Sequence, residues 1–372
     1  MNELAEHDGV IALPGLVILH LTDRCDNRCA FCMVSAPKRR RPDLSLSCVR
    51  EVLGAQAPGA RVDLFGGEPT LHPEFLEIVR VVVAAGHTVS VASNGHAFAR
   101  AGFAEQLVDI TGRGRVYVRT SLYGRTAAQH DAVTQHRGSF DRLIAGLRNL
   151  VAAQARTQVN IVLTRGVLAD LGSMVELVAD LGADRIKFGG LVDAGDCAEV
   201  EPTLDELRRA LGPALLAARS RGLTVTLEKL PICAAPSFLS SYSTERDVGG
   251  WPRAFAAEGA CGQCLARSLC DGLDPGYADR HGAGELCPVR RVPAAAVREL
   301  PERPEELEDL EFLKVHVFRV PDDWAEGEDM IERCERAIAS VKQRFGRVAL
   351  VPSSLIESRE PPLGGIVSRH LV

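Results

Sequence analysis

From Leu16 to about Leu223 the chain repeats one pattern, a short β-branched run followed by an amphipathic stretch of helical period. Candidate strands are Val17 to Thr22, Val62 to Phe65, Thr88 to Ala92, Val116 to Ser121, Val159 to Thr164 and Arg185 to Phe188. Candidate helices lie between them at Leu46 to Ala55, Pro73 to Ala85, Ala97 to Ile110, Ser139 to Ala153 and Leu171 to Leu181, each ending near a Gly or a polar turn. Six β/α units in succession predict a parallel sheet of the α/β class. The periodicity leaves open a doubly wound sheet and a partial or closed barrel, and in either case the active site belongs at the C-terminal ends of the strands.

A further helix (Leu204 to Arg221) and strand (Leu223 to Leu230) lead into Pro231 to about Arg291, rich in Cys, Gly, Pro and Asp and poor in periodicity. Such a segment suits loops organised by a metal centre rather than by an apolar core. After the Pro-rich, acidic stretch Val292 to Asp309, a strand (Phe312 to Val320), a helix (Met330 to Phe345) and a strand (Arg347 to Val351) predict a small β-α-β unit. The expected division is therefore residues 1–225, 226–300 and 301–372, within what 372 residues can hold at about 150 per domain.

With 46% hydrophobic and 25% charged residues the composition is that of a globular protein. A net charge of -6 supplies no broad attraction to nucleic acid or to an anionic membrane. Met1 to Asp8 lacks the basic start and apolar run of a secretory signal, and no apolar stretch approaches the ~20 residues that span a bilayer, so a cytoplasmic location is expected. In that reducing compartment eleven cysteines point to metal, cluster or redox roles rather than to a disulfide framework.

Cys25, Cys29 and Cys32 form a C-x3-C-x2-C run just after the first strand. Three thiolates on one loop can hold three irons of a cubane and leave the fourth iron open to an exchangeable ligand; taken alone, the spacing also allows zinc or core thiols. After the second strand comes Gly66-Gly67-Glu68-Pro69, with glycines that permit close backbone approach and a carboxylate suited to an ammonium group. The third strand ends in Ser93-Asn94-Gly95.

These two motifs, in this order and on these elements, resemble the radical S-adenosylmethionine (SAM) superfamily. The resemblance covers about residues 16 to 190 and implies a partial (β/α)6 TIM-type barrel with a C-terminal cysteine-rich module and a small α+β tail. It implies a [4Fe-4S] cluster on Cys25, Cys29 and Cys32 whose open iron takes the amine and carboxylate of SAM. Gly66, Gly67 and Glu68 would bind the methionine amino group, with Ser93 and Asn94 beside them. Thr120-Ser121-Leu122-Tyr123-Gly124, His130-Asp131 and Gly138-Ser139-Phe140 are similar to the fourth strand and helix of the peptide- and cofactor-modifying branches. On that likeness Ser121 would contact the ribose, Arg165 would pair with the SAM carboxylate and Phe31 would lie near the adenine. Each also has a plain structural role open to it: a strand-end hydroxyl, a solvated turn residue and a core ring.

Cys261, Cys264 and Cys270 form a C-x2-C-x5-C run, with Cys233 upstream and Cys287 downstream. The region resembles the auxiliary modules called SPASM or twitch, which implies one auxiliary [4Fe-4S] cluster with Cys233, Cys261, Cys264 and Cys270 as the preferred ligands; a four-cysteine zinc site is the rival. Cys287 is open as an alternative fourth ligand, a hydrogen-atom donor or a buried thiol, and Cys48, Cys197 and Cys334 read as structural. Gly276-Tyr277 and Glu285 recur in similar modules, and turn packing accounts for them equally.

His20, His72, Glu228 and Lys229 are secondary candidates, and Lys38 to Arg41 could meet an acidic substrate or donor. The expected enzyme takes an electron from a flavodoxin or ferredoxin-type donor, cleaves SAM and abstracts hydrogen from substrate. With about 16 residues before the first strand, a separate leader-binding domain is not expected there, which favours a small metabolite such as a sugar, aminocyclitol or nucleoside over a ribosomally made peptide. A non-catalytic iron-sulfur or zinc scaffold is the remaining class, and the intact Gly66-Gly67-Glu68 argues against it.

Overall fold

A computed structural model describes residues 9–32, 41–191, 195–243, 253–256, 259–301, 314–342 and 346–357. The chain divides into two compact units, residues 1–202 with 209–225, and residues 203–208 with 226–372.

The first unit is built on strands β1 (Val10–Leu13), β2 (Leu16–His20), β3 (Arg61–Phe65), β4 (Thr88–Ala92), β5 (Tyr117–Ser121), β6 (Arg156–Val162), β7 (Arg185–Gly189) and β8 (Thr224–Glu228), the last running on into the second unit. They form one sheet in strict chain order, β1 to β8. β1 pairs antiparallel with β2 around Gly15, whose φ of 77° serves the tight turn, and the pairs from β2 to β7 are parallel. Strictly sequential order is the topology of a partial TIM-type barrel; a doubly wound sheet would reverse its order part-way.

Helices α1 (Leu46–Gly54), α2 (Phe75–Ala84), α3 (Phe103–Thr111), α4 (Ala127–Thr134), α5 (Ser139–Ala152), α6 (Arg165–Leu168) and α7 (Leu171–Asp180) are the crossovers, and α8 (Leu204–Ser220) is divided between the units. Three differ from expectation, the single turn α6 being one that was not expected. The stretch from Ala97 to Ile110 is a 3-10 turn (His96–Ala99) and then α3, broken by Gly102 at φ 78°. α4 was not expected because it lacks an apolar stripe: it buries only His130 and Thr134, and a Thr126/Gln129 capping box starts it.

Alternation along the strands separates two faces. Val17, Leu19, Val62, Leu64, Val91 and Val118 pack with Ile78 and Val79 of α2 and Leu107 of α3, all fully buried; full burial of each such side chain contributes about 1.5–3 kcal/mol. The intervening positions are polar at Asp63, Ser90 and Arg119 and apolar at Ile18. Asp63, 3% exposed, pairs with Arg61 of its own strand at 2.6 Å and with Arg119 of β5 at 3.2 Å.

In the second unit, β10 (Arg298–Glu299), β11 (Val315–Val320) and β12 (Arg347–Pro352) form a parallel sheet, and β9 (Val292–Pro293) pairs with β13 (Ile356–Glu357). α10 (Glu328–Lys342) buries Cys334, Ala337 and Val341 against Phe318 and Val320. The cysteine-rich stretch consists largely of 3-10 turns, Ile232–Ala234, Ala260–Gln263 and Arg267–Leu269, with one short helix, α9 (Pro275–His281), capped by Asp274. Lys38 to Arg40, Phe312 and Leu313 and the side chain of Cys197 lie outside the described residues.

Candidate active site in the first unit and cysteine cavity in the second

Cys25, Cys29 and Cys32 lie on the loop leaving the C-terminal end of β2. Backbone bonds dock that loop from two sides. Gly67 and Glu68 donate to the carbonyls of Thr22 and Arg24 at 2.8 and 2.7 Å, while Arg28 and Ala30 donate to the carbonyls of Thr134 and Val133 at the end of α4, both at 2.9 Å. The two glycines are required by this contact. A Cβ on Gly66 would lie 2.4 Å from the Thr22 carbonyl oxygen, and one on Gly67 would lie 2.5 Å from that of Arg24.

Glu68 is 1% exposed and clamps the ends of β3 and β4 together. Its Oε1 accepts from Thr70 N–H, Thr70 Oγ1 and Ser93 Oγ at 3.1, 2.5 and 2.9 Å, and its Oε2 accepts from Asn94 N–H at 2.6 Å. Burial raises the Glu68 pKa and these four donors oppose the rise. A carboxylate has about four acceptor positions, so Oε2 is the oxygen with capacity left for an ammonium group.

A hydrogen-bond network continues from here. Asn94 Nδ2 donates to Asp26 Oδ1 at 2.5 Å, and Asp26 stands directly after Cys25. Tyr123 N–H donates to His130 Nδ1 at 3.1 Å, which leaves the proton of a neutral ring on Nε2, 3.2 Å from Ser139 Oγ. Ser139 can then donate to His96 Nε2 at 2.9 Å, and His96 Nδ1–H to Asp26 Oδ2 at 2.8 Å. Burial lowers the His130 pKa to about 4, so the ring is neutral at ordinary pH. One directional chain thus joins the end of β5 to the cysteine loop through side chains from four segments. The only sequence signal was the pair of segments His130-Asp131 and Gly138-Ser139-Phe140; the fold shows Asp131 accepting from Gly138 and Phe140 N–H at 2.6 and 2.9 Å.

Ser121 ends β5. Phe31 meets the Tyr123 ring edge to face at 5.5 Å between centroids. Arg165 opens α6 and donates through Nη1 to the Glu199 carbonyl at 2.8 Å. His72 has both nitrogens engaged, Nδ1 with Glu74 N–H and Nε2 with the Leu44 carbonyl, each at 3.1 Å, so it is a structural residue. His20 is bonded to Asp23 at 2.5 Å.

In the second unit, Cys233, Cys261, Cys264, Cys270 and Cys287 all line one open cavity of about 350 Å³, together with Ile232 and Phe255. Ile232 and Gly272 N–H both donate to Cys270 Sγ at 3.2 Å, and Val289 N–H donates to Cys264 Sγ at 3.3 Å. Burial pushes Cys270 up to about 12. Tyr277 and Glu285, bonded to each other at 2.8 Å, each accept within 2.9 Å of Leu204 N–H, which gives them a packing role.

Residues 19–188 match the model of the Radical SAM superfamily. The chain carries a radical SAM domain. Mycofactocin maturase MftC of Mycobacterium tuberculosis is 30% identical over 193 residues, 50% of this chain and 48% of that protein. PqqA peptide cyclase of Streptomyces rochei is 31% identical over 186 residues, 49% of each chain. GTP 3',8-cyclase of Synechococcus elongatus is 32% identical over 174 residues, 44% of this chain and 50% of that protein. The chain spans about half the length of these curated relatives.

The residues of the radical SAM domain fit the iron-sulfur cluster and SAM that the family implies. Three soft thiols lie within eight residues of a docked loop, and Asn27 N–H already donates to Cys25 Sγ at 3.4 Å. Burial pushes Cys25 up to about 12 and Cys29 to about 11, so it is coordination that would draw off their protons. Asn27 Oδ1, on the same loop, is a buried acceptor without a partner among the described residues. No helix among the described residues is long and apolar enough to cross a membrane.

Proposed function

We propose that this radical SAM enzyme modifies a peptide, and that Cys25, Cys29 and Cys32 hold its SAM-cleaving [4Fe-4S] cluster. When bound, cluster and SAM together supply one-electron reductive cleavage to a carbon radical that removes hydrogen from the substrate. In this reading Gly66 and Gly67 hold the cysteine loop against β3, and Glu68 Oε2 receives the methionine ammonium. Ser93 and Asn94 keep Glu68 in place, while Ser121, Phe31 and Arg165 bind the ribose, adenine and carboxylate ends.

The peptide is carried by one observation: two of the proteins matched over this domain are named for peptide maturation and peptide cyclisation. The sequence alone had put a small metabolite first, on the shortness of the segment before β2; the matches to peptide enzymes outweigh that ground. The five cysteines that line one cavity support an auxiliary iron-sulfur cluster in a SPASM-type second unit. Among the described residues, no three His, Cys, Asp or Glu side chains are grouped to hold a single metal ion. A flavodoxin or ferredoxin-type protein is the proposed electron donor.

The test is anaerobic reconstitution with SAM and dithionite, followed by incubation with short peptides encoded beside this gene. Peptide-dependent 5'-deoxyadenosine release with a mass change on the peptide is the expected result. Deoxyadenosine release stimulated only by sugars, aminocyclitols or nucleosides would return the substrate to the metabolite class. No deoxyadenosine under any reductant would refute the catalytic assignment.

A further inference from the structure

Arg347 opens β12 and reaches the cysteine-rich turns with both ends of its guanidinium group. Its Nη1 donates to the Leu269 carbonyl at 2.6 Å and its Nη2 pairs with Asp271 Oδ1 at 3.2 Å, so one side chain holds the residues on either side of Cys270. The other carboxylate oxygen, Asp271 Oδ2, accepts from Lys229 N–H at 3.2 Å. The ion pair is buried, with side-chain exposures of 10% for Arg347 and 1% for Asp271.

A second arm leaves the neighbouring strand. Val315 opens β11 in register with Arg347 and donates its N–H to the Tyr242 carbonyl at 3.2 Å. The buried Tyr242 phenol lies 3.1 and 3.2 Å from the carbonyls of Pro231 and Ile232, which it serves as a donor. Ile232 N–H in turn donates to Cys270 Sγ at 3.2 Å, and Gly272 N–H reaches the same sulfur at the same distance. Both arms start on the β11/β12 pair and end on Cys270.

We propose that the C-terminal sheet is a clasp that presets Cys270 as a ligand of the metal centre in the second unit, with Arg347 as its positioning residue. This rests on reading the cysteine cavity as a cluster site. Taking a guanidinium and a carboxylate out of water together carries a desolvation cost that an apolar pair avoids, so what the pair adds is geometry. A planar guanidinium reaches a carbonyl and a carboxylate at once and fixes the turn between them. Contacts one layer out from a metal ligand orient it and tune the metal it binds.

The experiment uses the full chain carrying Cys25/Cys29/Cys32→Ala, in which iron bound after anaerobic reconstitution belongs to the second unit. Release of that iron to a chelator is timed, and the EPR spectrum of the dithionite-reduced centre is recorded. Adding Arg347→Ala is expected to speed release about tenfold, the scale for losing an outer contact to a metal ligand, and to shift the g-values. Unchanged release overturns the proposal. Faster release with unchanged g-values overturns it too, because general loosening of the fold would give that result. If Arg347→Ala takes up no iron, Asp271→Asn decides, since its amide oxygen still accepts from Lys229 N–H while the ion pair is gone. Faster release with shifted g-values then supports the role, and the behaviour of the starting chain overturns it. A starting chain with no more iron than one that also carries Cys261/Cys264→Ala would instead refute the cluster assignment itself.

Discussion

The two cysteine groups differ in how much of their hold passes through sulfur. In the first unit the loop bearing Cys25, Cys29 and Cys32 is docked by backbone bonds to carbonyls of Thr22, Arg24, Val133 and Thr134, so the surrounding fold shapes it. In the second unit the sulfurs of Cys264 and Cys270 accept three backbone N–H groups, from Val289, Ile232 and Gly272, against the single one that Asn27 gives Cys25 in the first, and the local structure is a set of 3-10 turns. A loop shaped by its neighbours keeps its form without a cofactor. Turns organised around sulfurs need what the sulfurs bind, because metal binding is then part of the folding free energy.

The sharpest break of this comparison is between activity and stability. Cys25/Cys29/Cys32→Ala should abolish deoxyadenosine formation, a loss of more than about 10³-fold if the chemistry depends on the cluster, while the apparent melting temperature stays close to that of the parent. Cys261/Cys264→Ala should do the reverse in kind, exposing the second unit to limited proteolysis and lowering its melting transition by several degrees. Equal destabilisation by both variants would show that the two groups do not differ in the way argued.

Gly67→Ala tests the docking itself. Its Cβ would meet the Arg24 and Asp23 carbonyl oxygens at 2.5 and 2.7 Å, so the loop must move. Overpacking of this kind costs about 1–3 kcal/mol, and iron bound by the first group should fall with it; full iron and parental stability would mean that the loop is not held there.

The smallest effect concerns the buried histidine chain. With the His130 pKa at about 4 in the fold against an ordinary value of 6.5, the unfolded chain takes up the proton first as pH falls. The stabilisation from the neutral ring is therefore complete above about pH 6.5 and is lost progressively toward pH 4. The stability difference between the parent and His130→Gln should narrow over that window in chemical denaturation; a constant difference would remove His130 from the titrating groups.

Much of the first unit was legible in the sequence. Val62 and Leu64 flank the polar Asp63, Val89 and Val91 flank Ser90, and α2, α5 and α7 each carry an apolar stripe, so their positions follow from local periodicity. α4 was not legible, since a capping box and two buried polar residues hold it in place of a stripe. β9, β10 and β13 are two residues long and exist only through partners far along the chain.

The site divides in the same manner. Cysteine spacing on one loop and the Gly66-Gly67-Glu68 run are fixed by covalent order, so the sequence by itself determined a radical SAM domain and its β/α alternation. Only the tertiary structure decided that the glycines serve the Thr22 to Arg24 contact, that Glu68 joins β3 to β4, and that Asp26, His96, Ser139, His130 and Tyr123 form one chain. It also brought Cys233 and Cys287 to the cavity of Cys261, Cys264 and Cys270. Hydrogen bonds and close contacts depend on which atoms lie within about 3 Å, and for groups distant in sequence that proximity is set by the packing of the whole unit.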